Sequence, residues 1–464
     1  MRPPRNLTEG STFRAVIHLG IPTIATSLLQ STFNLVDMFF VGKLGPGALA
    51  AVTVSGIIIA LLITVAIGIS MGTLALVSRC WGARQYRAAA LVVGQSFHLS
   101  LLLSAGFGLG GWFLARPLLG FLGARGDVLE LAVVYFRIIS AGAWTIFIFV
   151  AFSSALRGAG DAWTPFKVMA LGAALNCLLD PVLIFGWGVI PARGVHGSAL
   201  ATVLSRLVTV AVIIFLARSK RSHLDLAGAF RRIDLRVMGK IVRIGFFSSL
   251  EMMLRSLAMI VLLKFVSGYG TAALAAYGIG ARIRAIVVMP GIGLGYASGV
   301  LVGQNLGAGQ PDRARRTAWL SWGVYEFMLL PVVALFLIFP GSVVGVFNRD
   351  PGVLLDGAVF IRYLAVSFLA LSVTLVLGKS LHGAGDTVGP MAITGFSLLL
   401  MVIALAWPGS WLTGLDGIWQ AVLGEAVLNG LLVTWWFHRG RWSRLRFMAG
   451  RREADVPPPG EVTA

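Results

Sequence analysis

The chain has 464 residues, of which 57% are apolar and only 12% charged, and its formal net charge is +19. A soluble domain carries roughly 25% charged residues, so the composition excludes an ordinary water-soluble fold and points to an integral membrane protein.

In chain order, apolar segments long enough to span a bilayer run at 15–43, 50–78, 88–115, 127–156, 164–187, 196–217, 241–267, 274–302, 317–345, 353–381, 388–412 and 416–437. A span needs about 20 residues at a rise of 1.5 Å each, so the expected class is an all-α membrane protein with twelve transmembrane helices. Arg2 and Arg5 precede a first segment too long for a signal peptide, so an uncleaved first span is expected. Gly and Pro punctuate short connections such as Gly45-Pro46-Gly47 and Gly158-Ala159-Gly160-Asp161. The exception is 218–243, a long basic stretch read as a cytoplasmic linker between a six-helix lobe at 1–217 and another at 244–440. Residues 441–464 read as a polar, Pro-rich cytoplasmic tail.

Of the 38 Lys and Arg residues, 26 fall in alternate connections that also hold both termini, and five fall in the opposite set. That bias is the positive-inside pattern. It predicts a multi-pass protein of a bacterial-type inner membrane with both termini cytoplasmic. No nucleic-acid motif accompanies the charge, so nucleic acid is not an expected partner. The two cysteines, Cys80 and Cys177, offer neither a disulfide framework nor zinc spacing.

The first span is unusual. Thr26, Gln30, Asn34 and Asp37 fall on one narrow stripe of it, and Pro22 lies upstream in the same helix. An ionisable residue inside a span is expensive and is a functional candidate by default. Proline removes a backbone hydrogen bond, which leaves Pro22 as either a hinge or an ordinary membrane-helix proline.

The chain also repeats itself at an offset of 225 residues: Ala48-Leu49-Ala50-Ala51 returns as Ala273-Leu274-Ala275-Ala276, and Gly158-Ala159-Gly160-Asp161 as Gly383-Ala384-Gly385-Asp386. Six spans per copy is an even number, so the copies run in parallel and should be related by a pseudo-two-fold axis along the membrane normal. The duplication exposes an asymmetry. Asp37 corresponds to Leu262, Asn176 to Met401 and Asp180 to Leu405.

Asn176 and Asp180 share a face of the fifth span, Ser198, Thr202 and Ser205 share one of the sixth, and Tyr135 in the fourth can complete a cluster with Asp37. Two carboxylates, an amide and a hydroxyl in low dielectric either bind a proton reversibly or ligate Na⁺ through Asp37, Asn176, Asp180 and Thr202. The bland alternative is interhelical hydrogen bonding alone. In the second copy Glu251 and Arg255 stand one turn apart, as an internal ion pair or as part of a substrate or ion site. Arg282 and Arg284 can face a cavity or bond to loop carbonyls, and Arg284 joins Glu251 and Arg255 as a candidate substrate or second-lobe site. Glu326 and Glu425 show no evident partner, and Asp161 and Asp386 read as helix caps. No Walker loop, zincin motif or metal cluster appears, so no enzyme and no cofactor is expected, and active transport must draw on an ion gradient.

The NLVDMFFVGKLG, SRCWGAR, VGQNLGAG, RGAGDAWTP and HGAGDTVGP segments make the chain resemble the multidrug and toxic compound extrusion (MATE) family over about residues 15–440. The resemblance implies a V-shaped cavity between lobes, alternating access, and export of amphipathic, often cationic compounds in exchange for H⁺ or Na⁺. In the DinF-like branch it implies a first-lobe ion site, here Asp37, Asn176, Asp180 and Thr202 with Tyr135, and a first-helix hinge at Pro22. The NorM-like branch adds a second-lobe acidic pair. Glu251 matches its first member, but Leu371-Ser372 stand where the tenth-span acid would be, which favours the DinF-like assignment. The expected protein is a monomeric antiporter of small amphipathic molecules coupled to H⁺, with Na⁺ as the alternative ion. A lipid or lipid-linked oligosaccharide flippase of the same superfamily is the rival, and a non-transporting membrane scaffold a more distant one.

Overall fold

The computed structural model describes residues 7–218, 230, 233–406 and 414–445. Most of the expected linker, the end of the eleventh span at 407–412 and the tail from 446 onward lie outside the described residues, as does the side chain of Asn34. The described residues contain helices and no strand, apart from one isolated bridge between Trp187 and Ile190.

The first copy comprises α1 (Thr12–Gly42), α2 (Pro46–Gly82), α3 (Tyr86–Phe121), α4 (Gly126–Ala141), α5 (Ala143–Gly158), α6 (Trp163–Phe185) and α7 (Gly194–Arg218). The second comprises α8 (Leu235–Ser267), α9 (Thr271–Gly307), α10 (Pro311–Ile338), the short α11 (Pro340–Gly345), α12 (Pro351–Val373), α13 (Lys379–Gly383), α14 (Val388–Ala406) and α15 (Leu415–His438). A π-helical turn, Thr374–Gly378, joins α12 to α13 without ending the span. Among the described residues eleven helices are long and apolar enough to cross a membrane, and α4 with α5, bent by 45° at their junction, makes a twelfth. This is the twelve-span, all-α architecture that the hydropathy pattern predicts.

The duplication is visible at the helix ends. α2 and α9 start and stop 225 residues apart, α3 and α10 start so, and α6 and α14 start so. Where the chain enters α2 and α9, Gly45 and Gly270 have φ of 102° and 96°, a region in which a side chain would be strained. The two GAGD turns place Gly160 and Gly385 at φ of 92° and 85°. Asp161 then accepts from the Thr164 backbone N–H at 2.9 Å and Asp386 from that of Gly389 at 3.2 Å. The two acids are helix caps, as the motif suggests.

By its internal contacts the described chain divides into two units. Residues 25–246 form one, and residues 7–24 with 247–445 form the other. Each unit thus contains the opening of the helix whose remainder lies in its counterpart: α8 opens in the first unit and α1 in the second. Glycine makes both approaches. In the first unit a Cβ on Gly245 would stand 2.5 Å from the Ile69 Cα, and in the second a Cβ on Gly293 would stand 2.6 Å from the Ile24 Cα. Small residues allow such close backbone contact where packing, rather than water exclusion, must hold helices together. One core of the first unit gathers Leu76, Val92, Phe152, Ile213 and Ile241, and one of the second gathers Val302, Leu377, Val433, Phe437 and Trp442.

Candidate functional site

The first unit links Asp37, Tyr135, Asn176 and Asp180, with Thr202 one helical turn from the serine that bonds Asp37. Asp37 lies near the end of α1, Tyr135 on α4, Asn176 and Asp180 one turn apart on α6, and Thr202 on α7. Asn176, Asp180, Thr202 and Tyr135 are buried, and Asp37 is partly so. The Ser198 hydroxyl donates to Asp37 Oδ1 at 2.8 Å, which ties α7 to α1. Asn176 Nδ2 donates to Asp180 Oδ1 at 3.2 Å within α6. Asp37 and Asp180 lie close enough for their charges to act on each other, and the Tyr135 phenol stands in the field of both.

Arg206 is the residue that motif reading passed over. It follows Thr202 by one helical turn and Ser198 by two, so all three lie on one face of α7. Its guanidinium acts on Asp37 and on Tyr135. The helical spacing of Arg206 behind the hydroxyl pair is the signal that would have found it.

The two carboxylates are therefore unlike. Asp37 has a hydroxyl donor and a cation, Arg206, that acts on its charge. Asp180 Oδ2 is buried with no hydrogen-bond partner among the described residues, and so is the Thr202 hydroxyl oxygen. A buried polar oxygen without a partner costs about 1–3 kcal/mol, more for a charged group. The cluster thus combines two interacting carboxylates with buried oxygens that have no partner among the described residues. The apolar residues at the corresponding positions of the second copy, Leu262, Met401 and Leu405, are all buried.

Pro22 is buried inside α1, two residues before the point at which α1 passes from the second unit to the first. Around it, Thr23 Oγ1 donates to the backbone carbonyls of Leu19 and Gly20 at 2.7 and 2.9 Å.

The second unit has a polar network of its own. Arg255 Nη2 lies 3.2 Å from Glu251 Oε1 and donates to Thr394 Oγ1 at 3.0 Å. The other Glu251 oxygen is 2.9 Å from His382 Nε2, and the His382 Nδ1 is 3.3 Å from the Ser248 hydroxyl. Thr374, in the π-helical turn, donates to Asn429 Oδ1 at 3.0 Å, and Asn429 Nδ2 reaches Glu425 at 3.3 Å. Glu425 therefore has a partner one turn along its own helix, which corrects the expectation that it had none evident. Glu326 accepts from Ser372, and the Trp322 indole donates to the same hydroxyl at 2.9 Å. The structure unites Glu251 and Arg255 as an intrahelical pair and adds His382 from the tenth span.

The MatE family profile matches residues 22–182 and 248–407. The Bacillus subtilis protein named probable multidrug resistance protein YoeA is 28% identical over 436 residues, covering 92% of this chain and 93% of that one. The FAD transporter of Shewanella oneidensis is 27% identical over 435 residues, covering 93% and 95%. Among solved structures, a MOP superfamily transporter from Pyrococcus furiosus superposes with a TM-score of 0.87 at 27% identity, covering 96% of this chain and all of that one.

Proposed function

Given that the chain belongs to the MatE family of membrane transporters, we propose that it is a secondary antiporter that exports amphipathic compounds, cationic drugs among them, in exchange for H⁺. The relatives' names span multidrug resistance and FAD transport, so family membership leaves the range of substrates wide. The single observation that carries the coupling mechanism is the Asp37–Asp180 pair, in which one Asp180 oxygen is buried without a partner.

In this reading Asp180 accepts the ion, and Asp37, held by Ser198 and balanced by Arg206, sets the field in which it does so. One added positive charge relieves both the mutual repulsion of the carboxylates and the desolvation of the orphaned oxygen. Loading the site changes the contacts that hold the end of α1, and the buried Pro22 gives that helix a place to bend. Ion binding and helix shape are then linked reciprocally, which is the requirement for exchange transport. Na⁺ is the alternative ion, ligated by Asp37, Asn176, Asp180 and Thr202. The proton is favoured because the cluster supplies two carboxylates and few further oxygens, whereas Na⁺ prefers a fuller oxygen shell. An intact first-unit acid pair, with the tenth-span acid replaced, supports the DinF-like branch. The charge bias of the connections supports cytoplasmic termini.

The deciding experiment is transport in proteoliposomes under a pH gradient and, separately, a Na⁺ gradient, using wild type, Asp37→Asn and Asp180→Asn. Efflux driven by the pH gradient and lost in both variants is the expected result. Full gradient-driven transport by both variants would overturn the assignment of the ion site.

A further inference from the structure

The second unit holds an arginine that the mechanism above does not use. Arg284, well inside α9, is partly exposed and makes no hydrogen bond or ion pair with the described residues. Its strongest charged neighbour is another cation, Arg255 of α8, and Glu425 of α15 acts on it more weakly. Arg255 already serves Glu251 and Thr394, and 28% of its side chain remains exposed. Lys379 brings a third positive charge to bear on Glu251. Three fixed cations thus stand against two carboxylates, Glu251 and Glu425, and the surplus sits on the one guanidinium with no oxygen to hold.

Two guanidiniums that act on each other within a membrane bundle are costly unless an anion balances them. Guanidinium presents paired N–H donors in a planar fork that matches the oxygens of a phosphate or carboxylate. Beside the arginine stands Tyr277, whose phenol lies in the field of the Arg284 charge. Its ring is parallel to that of Trp419, with centroids 6.5 Å and planes 5° apart, and Phe360 stacks on the same indole at 4.0 Å. Trp419 and Phe360 are buried, so Tyr277 is the partly exposed member of this aromatic stack.

We propose that Arg284, with Arg255 behind it, binds the phosphate or carboxylate group of an amphipathic ligand whose apolar part lies toward Tyr277. This goes beyond the antiport reading, because it extends the ligand class from cationic to acidic amphiphiles and assigns the recognition to the second unit. The oxyanion has two sources, a transported solute or the head group of an acidic lipid.

The test is equilibrium binding to the full-length protein in phosphatidylcholine nanodiscs, without any ion gradient, so a failure of ion coupling does not affect it. The ligands are 1-naphthyl phosphate and 1-naphthylmethylammonium, which share a ring and differ in charge. Wild type is expected to prefer the phosphate. Arg284→Gln is expected to bind it about 10- to 100-fold more weakly, with the ammonium compound unchanged. Arg284→Lys should recover part of the loss, because a point charge replaces the fork. Arg284 holds no described protein oxygen, so the Gln variant should melt at the wild-type temperature. Equal phosphate binding by wild type and Arg284→Gln, or preference of wild type for the ammonium compound, would overturn the proposal. Repeating the titration in phosphatidylglycerol nanodiscs separates the sources. Loss of phosphate binding there identifies a lipid head group as the occupant, and retention identifies a solute.

Discussion

The two copies of the repeat use buried charge in opposite ways. In the first, two carboxylates on α1 and α6 act on each other with one arginine acting on Asp37, and an Asp180 oxygen is left without a partner among the described residues. In the second, the positions of Asp37 and Asp180 are taken by Leu262 and Leu405, and Glu251 has an arginine on one oxygen and an imidazole on the other. The surplus there is positive and lies on Arg284. The sites also differ in position along the repeat. Glu251 falls at the register of Thr26, eleven residues before that of Asp37, or about 16 Å along a helix. Duplication has kept the helices and their turns while each half has placed its charge independently.

Even the backbone follows this division. The first copy bends its fourth span by 45° at Gly142, close to Tyr135. The second runs straight through the corresponding register and instead inserts the π-helical turn that carries Thr374 into its polar network. π-Helical turns are rare and concentrate at functional positions, because they re-aim a side chain without ending the helix.

The sharpest way to break the contrast is to make the first copy resemble the second. Asp180→Leu, the residue the repeat places at that register, should leave a folded protein and lower pH-driven efflux by about 5- to 150-fold, the range of an ordinary coupling energy. Proteoliposome transport and a melting curve measured on the same preparation check both halves of that statement. The reverse substitution, Leu405→Asp, introduces a carboxylate at a position only 1% exposed. It should destabilise the protein by about 3 kcal/mol, read as a lowered melting temperature in detergent. Arg206→Gln tests whether Asp37 depends on the cation that acts on it. Gradient-driven efflux should fall by less than in Asp180→Leu while the protein remains folded. Gly245→Ala probes the approach of α8 to α2, where the new methyl would meet backbone at 2.5 Å, and should cost about 1–3 kcal/mol. Thr394→Val removes one hydroxyl acceptor of Arg255 and should cost about 1 kcal/mol, with little effect on coupling.

Sequence by itself determined the class of the protein, its spans and its duplication. Hydropathy is a sum over about 20 residues, and a repeat is a match over many positions, so neither depends on where any one side chain points. It also picked out most of the first candidate cluster, because Asn176–Asp180 and Ser198–Thr202 share helix faces that a period of 3.6 residues exposes directly. Tertiary structure alone decided which charges meet across helices. The partnership of Glu251 with His382 and of Arg255 with Thr394, and the field of Arg206 on Asp37, join residues far apart in the chain, and no local period encodes such distances. The same holds for the openings of α1 and α8, which group by packing with the units to which the rest of each helix does not belong. A helix forms from its own residues, but the neighbours it keeps depend on where two glycines let backbones touch.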